Sequence, residues 1–260
     1  VACFETNSGV KLFYEKSGEG RPIIFVHPPL MGHVVFRYQQ ELSRGHQVIF
    51  YDCRGHGQST YNKPEDVIET HVADLRELIL HLKLEKPIVA GYSNGGEIAL
   101  SYALAYPNDI GALILSGGYP KVSTWVLQQE YNAGIWLMKR DMKGFLSGVL
   151  AKTHKVTESD ERLLYDYMLK ARTEAVLELY EAGKAFDVLA DLAKIKELPT
   201  LVLYGTKSNY INKYCKIFEA HLPKAQIAFI DGGTHQLPTR YHKPFNSVIT
   251  EFLKGPGPGL

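Results

Sequence analysis

The chain has 260 residues, with 29 Lys+Arg against 28 Asp+Glu, a formal net charge of +1, and 45% hydrophobic residues. That length holds one large α/β domain or two small ones, and so even a charge balance argues against nucleic acid or an anionic membrane surface as a partner. No apolar run approaches the roughly 18 residues that a membrane span needs, and Cys3, Cys53 and Cys215 are too scattered for a zinc site or a disulfide framework.

The start, VACFETNSG, has neither the basic nor the apolar region of a signal peptide, so a cytoplasmic location is expected. FETNSGVKLFYEKSG then predicts an antiparallel hairpin at one sheet edge. The short runs RPIIFVH, HQVIFYD, KPIVAGY, GALILSG, PTLVLYG and AQIAFID follow in turn. Their consecutive apolar residues suit strands covered on both faces, as in a parallel sheet. Amphipathic helices separate them, among them HVADLRELILHLKL (71–84) and EIALSYALAYP, which ends at Pro107. Strand alternating with helix predicts an α/β fold with a mostly parallel central sheet and helices on both faces.

From 119 to 198 the pattern turns helical, as in STWVLQQEYNAGIWLMKR and DERLLYDYMLKARTEAVLELYEA. Strand signals resume at Leu201. The expected organisation is therefore a core in two parts, 1–118 and 199–254, with a helical cap inserted at 119–198 and a flexible tail at 255–260. Ligands of open α/β sheets bind at the carboxyl edge, so the cap is placed to shape a small-molecule pocket.

The segment GYSNGG, residues 91–96, ends one predicted strand and opens a helix. A serine hydroxyl needs a base to take its proton and donors for the oxyanion that follows. Gly91 and Gly95 let strand and helix pass closely, which leaves Ser93 on a strained turn above the sheet. The helix behind it points its positive end at the site, and the Asn94 N–H is placed to stabilise an oxyanion.

These residues, together with FVHPPLMGH, DCRGHGQS (52–59), LPTLVLYGT and IDGGTHQLP, resemble the α/β-hydrolase fold family in its capped esterase, lactonase and haloperoxidase-like type. The motifs stand in the family's order over nearly the whole chain. The resemblance implies Ser93 as nucleophile and His235 as general base, the triad order being Ser, acid, His. His27 then braces the oxyanion loop, His56 is structural, and Asp52 and Arg54 pin their turn. No cofactor and no metal are implied. The substrate is an ester-like small molecule of apolar or aromatic character. Dehalogenase and epoxide-hydrolase chemistry need an aspartate nucleophile, which position 93 lacks.

Two departures from the family pattern stand out. Ser208 occupies the triad acid position in GTKSNYI, and LSGGYPKV at the other usual strand end has no carboxylate. Three explanations compete: an acid-position variant, an acid from another strand end, or a protein that binds without turnover. Glu97 lies close in sequence but is expected to face structure. The oxyanion loop reads HPPL, and Pro29 has no N–H to give, which leaves Leu30 as the second donor if the loop is shifted by one residue. The readings carried forward are a serine hydrolase of esters, thioesters or lactones, and alternatively a non-turnover receptor or sensor. The cap aromatics Trp125, Tyr131, Trp136, Phe145, Tyr165, Tyr167, Tyr180 and Phe186 are expected mainly to pack, with a few facing the pocket.

Overall fold

A computed structural model describes residues 2–255, so all but the first residue of the predicted tail lies outside the described residues. The strands β1 (Ala2–Glu5), β2 (Lys11–Ser17) and β3 (Pro22–Val26) are followed by a 3-10 segment (His33–Arg44) and β4 (Gln47–Tyr51). Then come α1 (Val67–His81), β5 (Ile88–Tyr92), α2 (Gly95–Ala105) and β6 (Ala112–Ser116). Four helices succeed one another without a strand: α3 (Trp125–Lys139), α4 (Lys143–His154), α5 (Glu158–Met168) and α6 (Thr173–Lys184). The chain returns to the sheet with β7 (Thr200–Gly205), α7 (Cys215–His221), β8 (Gln226–Ile230), α8 (Leu237–Arg240) and α9 (His242–Lys254).

One eight-stranded sheet results, in the order β1-β2-β4-β3-β5-β6-β7-β8. β1 pairs antiparallel with β2, and β2 with β4, while every pairing from β4 to β8 is parallel. The predicted edge hairpin and the parallel body are both present. β5, β6 and β7 are buried at every position, as their unbroken apolar runs require. β8 differs from expectation: it is the far edge, and Phe229 is exposed because no neighbouring strand covers that side.

Alternate strand residues feed two cores. Ile24, Ile49 and Val89 join Leu75 and Leu78 of α1 and Ile98 of α2, with Phe218 of α7. Their neighbours Ile23, Phe25, Val48 and Ile88 join Val35 and Phe36 of the 3-10 segment with Phe245 and Ile249 of α9. This period of two along strands covered on both faces fixes the register of the sheet.

The helical periodicity read over 160–182 is realised as two helices, α5 and α6. At the break the Arg172 N–H donates to Gly55 O (2.7 Å), and Lys143 Nζ donates to Leu169 O and Ala171 O (3.0 and 2.6 Å). Carbonyls freed from the helix are thus satisfied from outside it. Further ties hold this half of the helical segment to the sheet domain. Asp160 accepts from Arg37 and Tyr38, Tyr167 donates to Asp52 (2.7 Å), and Tyr61 donates to Glu178 (2.9 Å).

Candidate active site

Ser93 sits between β5 and α2 with φ 53°, a left-handed conformation that non-glycine residues rarely adopt. The flanking glycines are dictated by contact. A Cβ on Gly91 would lie 2.5 Å from Gly96 Cα, and one on Gly95 would lie 2.2 Å from Val26 O. The Ser93 N–H donates to Ser116 O (2.9 Å), which ties the turn to β6.

His235 lies in the loop after β8, 142 residues along the chain, with Nε2 2.9 Å from Ser93 Oγ. The loop is held by Lys207 N–H donating to Gly233 O (2.8 Å), and Gly205 permits the approach because a Cβ there would meet Gly233 O at 2.3 Å. The imidazole packs on Gly117, whose φ is +61° and whose Cβ would stand 2.5 Å from His235 Cε1. The structure thus adds Gly117 to the site, a position whose importance depends on a neighbour far away in sequence.

The other ring nitrogen of His235, Nδ1, is buried without a hydrogen-bond partner among the described residues. Ser208 is buried in the neighbouring loop, where its N–H donates to Gly205 O (2.9 Å) and its carbonyl accepts from Ile211 and Asn212. Its hydroxyl does not orient the ring. Burial pushes the His235 imidazole down to about 4, with nearby His154 acting in the same direction. His154 is itself neutral, pushed down to about 4 mainly by burial. Its Nε2 accepts from Tyr92 OH (3.0 Å) and its Nδ1 donates to Leu150 O (2.8 Å).

His27 braces the loop between β3 and the 3-10 segment. Its Nδ1 donates to Pro28 O and its Nε2 accepts from Cys53 N–H, both at 2.9 Å. Burial, then His56, keep it neutral by lowering its pKa to about 3. Pro28, Pro29 and Met31 face the site, whereas the Leu30 side chain is buried in the core and its backbone is left-handed (φ 75°). Neither Leu30 N–H nor Asn94 N–H donates a hydrogen bond within the described residues.

Asp52 and Arg54 are both spent on the turn. Asp52 accepts from the His33 and Gln58 N–H groups (2.9 Å each) and from Tyr167, and Arg54 forks onto Asp74 at 2.6 Å twice. Burial pushes Asp52 up, but His33 and the surrounding donors outweigh it and hold the carboxyl at about 2. His56 Nδ1 donates to Arg54 O (2.9 Å).

Ser93 and His235 open into a cavity of about 300 Å³, lined mostly by apolar side chains from the sheet edge and from α3 and α4. Tyr131 and Tyr180 reach it among the aromatics named from sequence. Trp125, Trp136 and Phe145 are instead exposed, Trp136 with the Arg140 guanidinium over its ring. Glu130 also lines the cavity. It belongs to the helical stripe Leu127, Glu130, Tyr131, Gly134 and Leu137, and a carboxylate among these residues was the available sequence signal.

Glu97 faces away from His235. Its Oε1 accepts from Tyr131 OH (2.5 Å) and its Oε2 from Asn94 Nδ2 (2.8 Å), while Tyr119 OH meets Tyr131 OH at 2.5 Å. Gly183 of α6 covers the cluster, since a Cβ there would lie 2.3 Å from Asn94 Nδ2. Burial pushes the Glu97 carboxyl up to about 8, with Tyr131 and Tyr119 pulling it back. The folded value lies above the ordinary value near 4.5, so stability from this group is fully present below that pH and is lost as pH rises through 8. Glu97→Gln is therefore expected to gain thermal stability relative to the parent progressively from pH 6 to pH 9. A constant difference across that range, measured by thermal unfolding, would contradict a protonated Glu97.

Among the described residues, no group of three or more His, Cys, Asp or Glu side chains is placed to hold a metal, and no helix is long and apolar enough to cross a membrane. A family model described as alpha/beta hydrolase fold matches residues 21–240. The AB hydrolase superfamily protein YisY of Bacillus subtilis (strain 168) is 30% identical over 264 residues, covering 95% of this chain and 97% of its own. The esterase EaEST from Exiguobacterium antarcticum superposes with a TM-score of 0.87 at 22% identity, covering 97% of this chain and 99% of that one. The enol-lactonase from Burkholderia xenovorans LB400 does so with a TM-score of 0.85 at 20% identity, covering 97% and 100%. The chain accordingly belongs to the alpha/beta hydrolase fold family, as an enzyme of the hydrolase type.

Proposed function

We propose that the protein hydrolyses a carboxylic ester, thioester or lactone through an acyl-enzyme on Ser93. The observation that carries this reading is the 2.9 Å contact between His235 Nε2 and Ser93 Oγ at the floor of a mostly apolar cavity. The neutral imidazole takes the hydroxyl proton as Oγ attacks the carbonyl carbon, then returns it to the leaving alcohol, thiol or alkoxide. A water activated by the same nitrogen then releases the acid. The Asn94 N–H, at the positive end of α2, is the main oxyanion donor, with Leu30 as the second because Pro29 cannot donate. The segment 119–198 serves as the cap, and an esterase and an enol-lactonase among the structural relatives favour ester and lactone substrates.

A fluorophosphonate probe is expected to label Ser93 in the parent and nothing in Ser93→Ala, as read by peptide mass spectrometry. Absence of labelling in both the parent and Ser208→Asp would remove the nucleophile assignment. The unpartnered His235 Nδ1 favours one further reading, a binding protein that retains the pocket without turnover. It predicts saturable ligand binding and no burst of product.

A further inference from the structure

We propose that Glu130 makes this cavity a site for esters that carry an alkylammonium group. The inference rests on the ester-hydrolase reading of Ser93 and names its substrate class. Among the twenty described residues that line the cavity none is Lys, Arg or Asp, and Glu130 is the one carboxylate. The two histidines there, His154 and His235, are neutral at pH 7 because burial holds both near 4. No cationic side chain among the lining residues opposes a negative charge there; Arg240, whose charge acts on His154, is outside the lining.

Glu130 is committed to no ion pair within the described residues, whereas Lys121, Lys139 and Arg140 on or beside the same helix engage Asp187, Glu181 and the Trp136 ring. It is exposed at the cavity mouth, where partial loss of hydration raises its carboxyl and nearby Tyr210 acts in the opposite direction. Tyr92, Tyr119, Tyr131, Tyr180 and Tyr210 line the same cavity as Glu130. A cavity that holds one carboxylate and several aromatic rings suits an alkylammonium ion, which gains from the charge and from the ring quadrupoles, while its methyl groups tolerate apolar walls. Bound there, the cation would further favour the ionised form of Glu130.

The test compares three thioacetates of one length: acetylthiocholine, its neutral isostere with tert-butyl in place of trimethylammonium, and one ending in a carboxylate. At low salt the cationic ester is expected to exceed the neutral one in kcat/KM by about fivefold or more. The ratio should fall toward one in Glu130→Gln, and Glu130→Lys should favour the carboxylate ester. Equal use of all three, or a cation preference that survives Glu130→Gln, overturns the assignment and leaves the hydrolase reading standing. If no ester turns over in the parent or in Ser208→Asp, that reading fails instead, and calorimetric titration of choline against its tert-butyl isostere decides the role of Glu130. Tighter cation binding that Glu130→Gln abolishes supports the proposal, and equal binding overturns it.

Discussion

Ser208→Asp is expected to raise kcat for a p-nitrophenyl ester by about 10²- to 10⁴-fold over the parent, the range set by what a triad carboxylate contributes. In the parent, His235 Nδ1 is buried and unpartnered, so nothing fixes its tautomer or stabilises the imidazolium that forms when Ser93 loses its proton. The acid-position loop is already tied to the histidine loop by Lys207 N–H and Gly233 O, so a carboxylate at 208 starts from the adjoining turn. The pH profile supplies an independent sign. The parent imidazole is held near 4, below the acid unfolding expected at about pH 5, so the acid limb of the parent should coincide with loss of the fold. A negative neighbour favours the charged ring and moves the limb upward. A faster variant with an unmoved limb would mean the aspartate acts by another route. No gain at all would favour the binding-protein reading.

The second large effect concerns acid stability. His27 and His154 are buried and His235 is half-buried, and the three are held near 3, 4 and 4, far below the 6.5 of a free imidazole, with loss of hydration the main cause in each. His56 and His71 are lowered in the same direction for the same reason. Below pH 6.5 the unfolded chain takes up protons that the folded chain refuses. The stabilisation is therefore complete above that pH and is lost as pH falls toward the folded values. Three such groups give a slope of about 4 kcal/mol per pH unit between roughly pH 6 and 4. Against a typical total of about 5–15 kcal/mol, that slope predicts acid unfolding near pH 5. Urea midpoints measured from pH 7 to pH 5 should fall steeply, and His154→Gln should reduce the slope by about one proton. A flat series would show that these rings accept protons in the folded state. Asp52, held near 2, affects stability only at much lower pH.

The sheet was legible because its strands are short and apolar on consecutive positions, a pattern that only two-sided burial rewards. GYSNGG declared its turn through glycines whose absent side chains the packing requires, and the glycine pair in GGTH marked the loop that carries His235 beside Ser93. The remainder depends on relations that the linear order hides. Gly117 matters through His235, over a hundred positions later, and Gly183 through Asn94. The division between α5 and α6 follows from a carbonyl on Gly55 that captures the Arg172 N–H, a partner that helical periodicity cannot reveal. β8 carries an apolar run like its neighbours yet forms an edge, since strand order is a property of the whole sheet.

The helical segment is fastened unevenly. α5 and α6 are riveted to the sheet domain through Asp160, Tyr167, Arg172 and Glu178, whereas α3 and α4 supply the cavity wall through Leu127, Leu137, Leu146 and Leu150. The division is not complete: Tyr131 of α3 and His154 of α4 line the cavity while bonding to Glu97 and Tyr92, and Tyr180 of α6 lines it as well. Descendants of this chain could exchange one guest molecule for another by rewriting those four leucines alone, without loosening the joints to the sheet domain.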